Sequence, residues 1–546
     1  MSKSYNEAIT ELSSIIFDGE KDYNLDLSEI KLKIESVKKL LSTETLRIVL
    51  LGTTCDGKTT TAAGMLGRLH ENMKIDLDES SDELTFYKID GGVEIVDTPG
   101  LFGSKEKEVM GKNVVYSAIT ERYISEAHIV LYVTDAVDPV KESHSEKLKW
   151  VLKDLSKLSS TIFVINKMDE AGFDLLDESD FQRGSSIKKK FLVDGLSRNI
   201  GLTATEAANM NVICISADPK GKGLAYWFGK PDEYLRRSHI NVLRTAVQNT
   251  YRSSDIASLN KNAIMASFRD ITKLVKGMIG TSSEQVKKAL LNAKKTHENI
   301  QFELNDLNKQ LLHNKKILID SLLSYRQNLI HTINNTGMEA FSSMLDEEIG
   351  TENGKVTGGI FVQKIESLLA ECGNNNSSSI SLAAVSYENN LGILDSSISI
   401  IGEGTKLLKS VNMTGDMVKG IRNIVLPSFK FKPWQAVNIA KNFSKIVLAL
   451  NVVVDVILFW RKKKAKDDFI QAKNELKNFI TNSFEELNKM YDPVEEYYKN
   501  FAPHFIEMSM LKAERRKLVE SLESSLNALA AYDVRLSAWL SSVTNN

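Results

Sequence analysis

Cysteine is scarce in this sequence. Only three cysteines, Cys55, Cys214 and Cys372, occur in 546 residues, and they are widely separated. This number and spacing exclude a disulfide framework and a paired-cysteine metal site, and they favour a reducing compartment. Residues 1–21 contain scattered acidic side chains and no continuous apolar stretch, so we expect no secretory signal there. The expected location is the cytoplasm.

Neither sign of charge is in excess. Lysine and arginine number 69 and aspartate and glutamate 71, which leaves a net charge of -2. Such a balance gives no global attraction to nucleic acid, which is therefore not an expected partner, and any binding to anionic lipid must come from a local patch. The chain is also too long for one hydrophobic core, so we expect more than one domain.

Proline is absent between Pro231 and Pro427, and apolar residues in this interval recur at steps of three and four. That pattern predicts long helices. The clearest run, residues 286–318, has a coiled-coil-like seam interrupted by His297 and Asn314, and we interpret His297 as a polar seam residue rather than a ligand. Similar spacings at both chain ends predict that the partner helices form a bundle with it. These spacings lie at residues 30–41, 469–487 and 518–540.

Residues 46–216 have a different pattern, in which short β-rich runs alternate with helical stretches. The runs are LRIVLLG, LTFYKI, VEIVDTPG, HIVLYVTDA, TIFVINKMD and VICISAD. This alternation predicts an α/β domain with a mixed, mostly parallel sheet. Polar motifs follow several of these runs, at the carboxyl ends of strands, where such sheets bind ligands.

The first motif, GTTCDGKT, matches the phosphate-binding pattern GxxxxGK[ST] between a strand and a helix. Taken alone it is also compatible with a glycine loop and a solvated lysine, but this position favours phosphate binding. Lys58 is expected to bridge the outer phosphates, and Thr59 to offer its hydroxyl to Mg²⁺. The predicted nucleotide-binding residues here are Gly52, Thr53, Thr54, Cys55, Asp56, Gly57, Lys58, Thr59 and Thr60.

DTPG ends a second strand. Asp97 is placed to hold Mg²⁺, and the Gly100 N–H to sense the terminal phosphate. Ras-like enzymes carry a water-orienting glutamine at the next position, where this chain has Leu101, so we expect slow basal hydrolysis. The first switch is expected between residues 71 and 85, and Thr85, Ser80 and Ser81 are its candidate Mg²⁺ ligands. Lys58, Thr59 and Thr85 are the predicted catalytic residues.

NKMD ends a third strand and predicts the base. Asp169 can accept hydrogen bonds from guanine N1–H and the 2-amino group, neither of which adenine offers. Asn166 is expected to brace the phosphate loop and the base, and Lys167 to lie along the ring. Ser216 and Ala217 resemble a loop whose backbone contacts guanine O6. Together the motifs predict binding of GTP and GDP with Mg²⁺.

A guanine-nucleotide domain with a hydrophobic residue after DTPG, followed by a long helical stalk, resembles the bacterial dynamin-like proteins. The resemblance implies self-association through the GTPase domain or with a second dynamin-like chain. It also implies membrane remodelling, vesicle-linked secretion and a role in virulence. One departure puts hydrolysis in doubt: dynamins carry a Gln-Ser pair in the phosphate loop, which helps to hold water and a monovalent cation. Thr54 and Cys55 correspond to this pair, and a thiol is a poor ligand for a hard cation.

Residues 373–460 change in composition and form a candidate membrane tip. The apolar run 446–460 would be roughly 22 Å long as a helix, against about 30 Å for a bilayer core, so it is too short to span alone. Basic and aromatic side chains alternate before it, as suits a lipid headgroup boundary. These are Phe429, Lys430, Phe431, Lys432 and Trp434. The alternative is a buried trunk helix with a solvated basic end.

The sequence therefore predicts an α/β GTPase domain followed by a long all-α stalk with a tip. The expected segments are N-terminal helices at 1–45, the GTPase domain at 46–240, neck and trunk at 241–372, the tip at 373–460 and returning helices at 461–546. The leading hypothesis is a cytoplasmic, peripherally membrane-associated mechano-GTPase that binds a lipid membrane. The alternative is a soluble regulatory GTPase or nucleotide-dependent scaffold with little turnover.

Overall fold

A computed structural model describes most of the chain. The described residues are 4–23, 25–42, 45–53, 55–69, 84–89, 92–98, 120–253, 256–352, 355–404, 459, 463 and 466–544. They divide into two compact units, one formed by residues 1–281 and 530–546 and the other by residues 282–529.

The first unit contains a six-stranded sheet in the order β2-β3-β1-β4-β5-β6. Its strands are β1 (Leu46–Leu51), β2 (Thr85–Ile89), β3 (Val93–Asp97), β4 (Ile129–Asp135), β5 (Thr161–Asn166) and β6 (Asn211–Cys214). Neighbouring strands are parallel except that β2 runs antiparallel to β3 at one edge. The predicted α/β domain with a mixed, mostly parallel sheet is therefore confirmed.

Helices cover both faces of this sheet and form a bundle beside it. They are α1 (Tyr5–Tyr23), α2 (Ser28–Ser42), α3 (Lys58–Leu66), α4 (Ser145–Lys149), α5 (Glu178–Ile200), α6 (Ala204–Ala208), α7 (Leu224–Phe228), α8 (Pro231–Ser238) and α9 (Ile240–Ser253). Strands β4 and β5 are almost completely buried, as expected for a sheet packed on both faces.

Long helices make up most of the remaining described chain. They are α10 (Ile256–Asn335), α11 (Phe341–Glu348), α12 (Gly359–Gly404), α13 (Lys466–Tyr491), α14 (Val494–Phe501) and α15 (Pro503–Thr544). A small hairpin joins β7 (Thr351–Glu352) and β8 (Lys355–Val356). Helix α10 is 80 residues long, which confirms the helix predicted from its apolar seam. None of the helices described has the length and hydrophobicity needed to cross a bilayer.

In the second unit, Asn314, one of the two polar residues that interrupt the seam, is hydrogen-bonded inside the core. Asn314 Nδ2 donates to Asn376 Oδ1 at 3.0 Å. Asn376 is fully buried in α12 and donates to the Tyr497 hydroxyl and the Phe501 carbonyl. Because each buried amide has partners, this network fixes the register of α10, α12 and α14 instead of weakening the core. Helix α12 continues through residue 373, where the change in composition begins.

The first unit contains helices from near both chain ends. It includes residues 30–41, whereas residues 286–318 and 469–487, which were predicted to form a bundle with them, belong to the second unit. The buried Tyr532 hydroxyl of α15 donates to the Ile15 carbonyl of α1 at 3.0 Å. Trp539 of α15 packs edge-on against Phe268 of α10, with ring centroids 5.2 Å apart. The N-terminal and C-terminal helices therefore stabilise the first part of α10 beside the sheet.

Candidate nucleotide-binding site

The predicted motifs meet at one edge of the sheet. The strands that carry them, β1, β3, β5 and β6, belong to the parallel part of the sheet and have their carboxyl ends on the same side. The loop of residues 52–57, which we call the phosphate loop, follows β1, and Asp97 ends β3. Asn166 ends β5, and Ser216 follows β6.

Two glycines of the phosphate loop have conformations and surroundings that exclude a side chain. Gly52 has φ 151° and Gly57 has φ 80°. A Cβ at Gly52 would lie 2.3 Å from the Val133 carbonyl oxygen, and one at Gly57 would lie 2.5 Å from Asn166 Nδ2. The loop therefore turns tightly into the N-terminus of α3, an arrangement suited to anion binding.

Lys58 lies in the first turn of α3 and is buried. Its ammonium donates to the Thr53 carbonyl at 2.8 Å, so it folds back over the phosphate loop. Burial lowers the pKa of Lys58, and the negative charges of Asp97 and Asp56 oppose that shift. The arrangement places a desolvated cation where the outer phosphates are expected.

Thr59 and Asp97 are in direct contact. The Thr59 hydroxyl donates to Asp97 Oδ2 at 2.5 Å. Asp97 Oδ1 is buried and has no hydrogen-bond partner among the described residues. Burial raises the pKa of Asp97, against the opposing effects of Lys58 and Thr59. A buried carboxylate oxygen with no partner beside a hydroxyl is a donor set that suits the hard cation Mg²⁺. Thr85 pairs with Asp97 across the antiparallel strands.

Asn166 connects the phosphate loop to the opposite side of the site. Its Nδ2 donates to the Asp56 carbonyl at 3.0 Å, and its Oδ1 accepts from the Ala217 N–H at 2.8 Å. One buried side chain therefore joins the loops that follow β1, β5 and β6.

Asp169 lies beside this junction. Its Oδ1 accepts a hydrogen bond from the Ser216 hydroxyl, and its Oδ2 accepts one from the Lys220 N–H at 2.6 Å. Lys167 has the left-handed conformation, with φ 63°, and pairs with Glu170 at 3.1 Å. The structure thus brings Asp169, Ser216 and Ala217 close together.

The remaining predicted residues of the phosphate loop and beyond fall into two groups, those that the structure describes and those that it does not. Cys55 is exposed on the phosphate loop, and Thr60 is half-buried in α3. Other predicted residues lie outside the part of the chain that the structure describes. These are Thr54, Ser80, Ser81, Gly100, Leu101, Phe429, Lys430, Phe431, Lys432 and Trp434.

Lys141 is a site residue that the sequence reasoning missed. It follows β4 and pairs with Asp56 of the phosphate loop at 2.5 Å and with Asp135 at 3.0 Å. The sequence offered only an indirect signal: the segment follows a predicted strand of a mostly parallel sheet, and the carboxyl ends of such strands lie at one edge. No motif marks the residue, because the contact joins positions 85 residues apart.

Comparisons with protein families agree with this architecture. The dynamin-like helical domain matches residues 202–528, which is more than half of the chain, and the dynamin family matches residues 70–168. The chain therefore belongs to the dynamin family of GTPases. The resemblance to bacterial dynamin-like proteins inferred from the sequence is confirmed. The comparison with curated proteins gave no match.

The chain is also similar to several solved structures. The chain is similar to the LeoA bacterial dynamin GTPase from ETEC, with 24% identity over 98% of this chain and 97% of that one, at a TM-score of 0.36. A structure of an oligomerised bacterial dynamin pair, described in connection with sensing and tethering of membranes, is 11% identical over 99% of both chains, with a TM-score of 0.49. Toc33 from Arabidopsis thaliana, in complex with Mg²⁺ and GMPPNP, matches 41% of this chain and 93% of its own, with 14% identity and a TM-score of 0.28.

Proposed function

We propose that this chain binds GTP and GDP with Mg²⁺ at the carboxyl edge of its sheet and hydrolyses GTP slowly. The observation that carries the proposal is the link through Asn166, which ties the phosphate loop to the loop after β6. It holds the phosphate and base sides of the site in a fixed relation. Asp169 then provides the two carboxylate oxygens for guanine N1–H and the 2-amino group.

Each remaining residue has a role consistent with its surroundings. The phosphate-loop backbone and Lys58 hold the phosphates, and Thr59 and Asp97 hold Mg²⁺. Ser216 and Ala217 lie at the base side with Lys167. Bound Mg²⁺ neutralises phosphate charge. Thr85, which pairs with Asp97, is the proposed switch residue within the described chain.

Slow turnover follows from what the chain lacks in its sequence. Leu101 cannot orient water as glutamine does, and the Cys55 thiol is a poor ligand for a hard cation. We therefore propose that hydrolysis increases on self-association of the GTPase domain, on pairing with a second dynamin-like chain or on contact with lipid.

The proposed biological output is membrane remodelling, and more narrowly vesicle-linked secretion, by a cytoplasmic protein that associates with membranes peripherally. Membership of the dynamin family supports a function in membrane remodelling. The alternating basic and aromatic residues 429–434 support lipid contact, because aromatic rings and lysine ammonium groups both suit the headgroup boundary.

The test is co-sedimentation with anionic liposomes, together with GTP hydrolysis measured with and without them. Wild type should pellet with liposomes and hydrolyse GTP faster in their presence. The double variant Phe431→Asp with Trp434→Asp should lose both effects while its GTP affinity stays unchanged, because two charges oppose insertion into the headgroup region.

A matched control changes two exposed apolar residues of α10, Leu291→Asp with Phe302→Asp, which are 70% and 75% exposed. It adds the same charge at two described residues of a helix instead of at Phe431 and Trp434, and it should sediment like wild type. If wild type stays in the supernatant with every lipid and nucleotide, the membrane proposal is wrong. The alternative, a soluble regulatory GTPase or nucleotide-dependent scaffold, would then be favoured.

A further inference from the structure

The phosphate loop contains a carboxylate in an unfavourable place. Asp56 is one residue before Gly57 and two before Lys58, and only 1% of its surface is exposed. A buried negative charge beside a triphosphate repels it strongly, because little water screens the interaction. A functional phosphate loop with this residue therefore needs a compensating cation.

Lys141 meets that requirement. Its ammonium lies 2.5 Å from Asp56 Oδ1 and 3.3 Å from the Thr53 hydroxyl. The other carboxylate oxygen of Asp56 accepts the Thr53 N–H at 2.6 Å, so Asp56 also closes the loop on itself. The Asp56 carbonyl, in turn, accepts from Asn166. Asp56 thus connects the phosphate loop to the segment after β4 and to the end of β5.

The segment after β4 is built to hold Lys141 in place. Asp135, the last residue of β4, accepts from Lys141 at 3.0 Å and also caps the turn through the Asp138 N–H at 2.7 Å. Burial disfavours the charge on Lys141, but the hydrogen bonds and charges of Asp56 and Asp135 outweigh it and leave the pKa of Lys141 raised. The lysine therefore stays charged throughout the physiological range.

Other titratable groups face the same region. Lys58 is close enough to Asp56 for the two charges to interact. The buried His144 shares a hydrogen bond at Nδ1 with the Tyr132 hydroxyl, at 2.9 Å. Burial lowers the pKa of His144 to about 4, so this imidazole is neutral near pH 7. Lys141 and Lys58 are thus the cations that flank Asp56 among the described residues.

We propose that Lys141 is a positioning residue for nucleotide binding, which acts by neutralising and orienting Asp56 rather than by contacting the phosphates. This inference rests on the proposed guanine-nucleotide function of the same site. It predicts a specific dependence: Lys141 is needed for GTP binding only while residue 56 carries a negative charge.

The experiment is a double-mutant cycle on GTP affinity, measured by calorimetry with Mg²⁺ and a non-hydrolysable GTP analogue. Lys141→Met should weaken binding by about tenfold or more, because it removes the cation paired with a buried carboxylate beside the phosphates. Lys141→Arg should restore most of the affinity. Adding Lys141→Met to Asp56→Asn should weaken binding by less than about threefold relative to Asp56→Asn alone, because the neutral amide needs no counter-charge.

Lys153→Met is the matched control. It breaks a surface ion pair with Glu206, at 2.7 Å, in the same unit and away from the phosphate loop. This variant should bind the analogue like wild type. Thermal unfolding of each variant without nucleotide separates a change of affinity from a loss of fold.

The outcomes distinguish a role of Lys141 through Asp56 from a direct role on the phosphates and from no role in binding. Normal affinity in Lys141→Met overturns the inference and leaves the nucleotide-binding function in place. The inference is also overturned if the double variant binds about tenfold more weakly than Asp56→Asn, because Lys141 would then act directly on the phosphates. This second comparison holds even if Lys141→Met alone does not fold. If wild type binds no guanine nucleotide, the proposed function and this inference both fall.

Discussion

His128, at the edge of the sheet opposite the phosphate loop, shows how a single buried side chain connects the sheet to α10. Its Nδ1 accepts the Arg47 N–H at 2.9 Å, and its Nε2 lies 2.7 Å from Asn260 Oδ1. These partners assign the neutral tautomer with the proton on Nε2. Burial lowers the pKa of His128 to about 4, and the charges of Lys157 and Arg47 act in the same direction.

This side chain makes folding stability depend on pH. The folded protein binds fewer protons at His128 than the unfolded chain between the ordinary pKa of 6.5 and about 4. Its contribution is therefore present above pH 6.5 and is lost as the pH falls towards 4. From pH 7 to pH 5 the loss should be about 2 kcal/mol, and His128→Gln, which keeps a donor and an acceptor, should reduce it.

Urea unfolding followed by tryptophan fluorescence at both pH values measures this effect. His504→Gln changes a more exposed histidine and should keep the wild-type difference between the two midpoints. Equal pH dependence in wild type and His128→Gln would show that His128 is not the titrating group.

Among the helices, the contact between α1 and α15 depends on a missing side chain. A Cβ at Gly19 would lie 2.2 Å from the Tyr532 hydroxyl oxygen and 2.7 Å from the adjacent ring carbon. The same hydroxyl donates to Ile15. Gly19 therefore allows the buried tyrosine of one chain end to lie against the helix of the other.

Gly19→Ala should destabilise the first unit by roughly 1–3 kcal/mol, because overpacking a buried contact costs more than the alanine gains in helix propensity. Gly277→Ala is the control, since its Cβ would meet nothing within 4 Å in α10 and the change should be neutral or stabilising. Thermal unfolding of the two variants makes the comparison. If both alanines stabilise the protein equally, the close approach of α1 and α15 is not a feature of the molecule.

Elements with a strong periodic pattern were predictable from the sequence. The apolar runs gave the strands, and the spacing from residue 286 to 318 gave the helix, because burial of one face requires that period. The contact between Lys141 and Asp56 was not predictable, because the pairing depends on which strand neighbours β1. The partner of Asn314 was not predictable either. Asn376 belongs to another helix, and it lies within an Asn/Ser run that carries no helical signal of its own.

At the scale of the whole molecule, the chain combines one unit that carries the proposed nucleotide site with a second unit whose described residues are almost all helical. Residues of α10 and α15 belong to both units. The ordered motifs predicted the positions of the phosphate loop, Asp97, Asn166 and Asp169 at one edge of the sheet. The membrane tip, the switch threonine and the rate of hydrolysis stay predictions, since local patterns do not determine what a helical stalk binds.

The most direct test of the central claim is a calorimetric titration of wild type and Asp169→Asn with GTP, ATP and xanthosine triphosphate in the presence of Mg²⁺. Wild type should prefer GTP over ATP by at least about 100-fold, because adenine offers neither of the two donors that the Asp169 carboxylate can accept from guanine. Asp169→Asn should shift the preference towards xanthosine triphosphate, whose 2-oxo group matches the new amide. Asp232→Asn, an exposed change in α8, should behave like wild type. Equal wild-type binding of ATP and GTP, or an unchanged guanine preference in Asp169→Asn, would contradict the assignment of this site to guanine nucleotides.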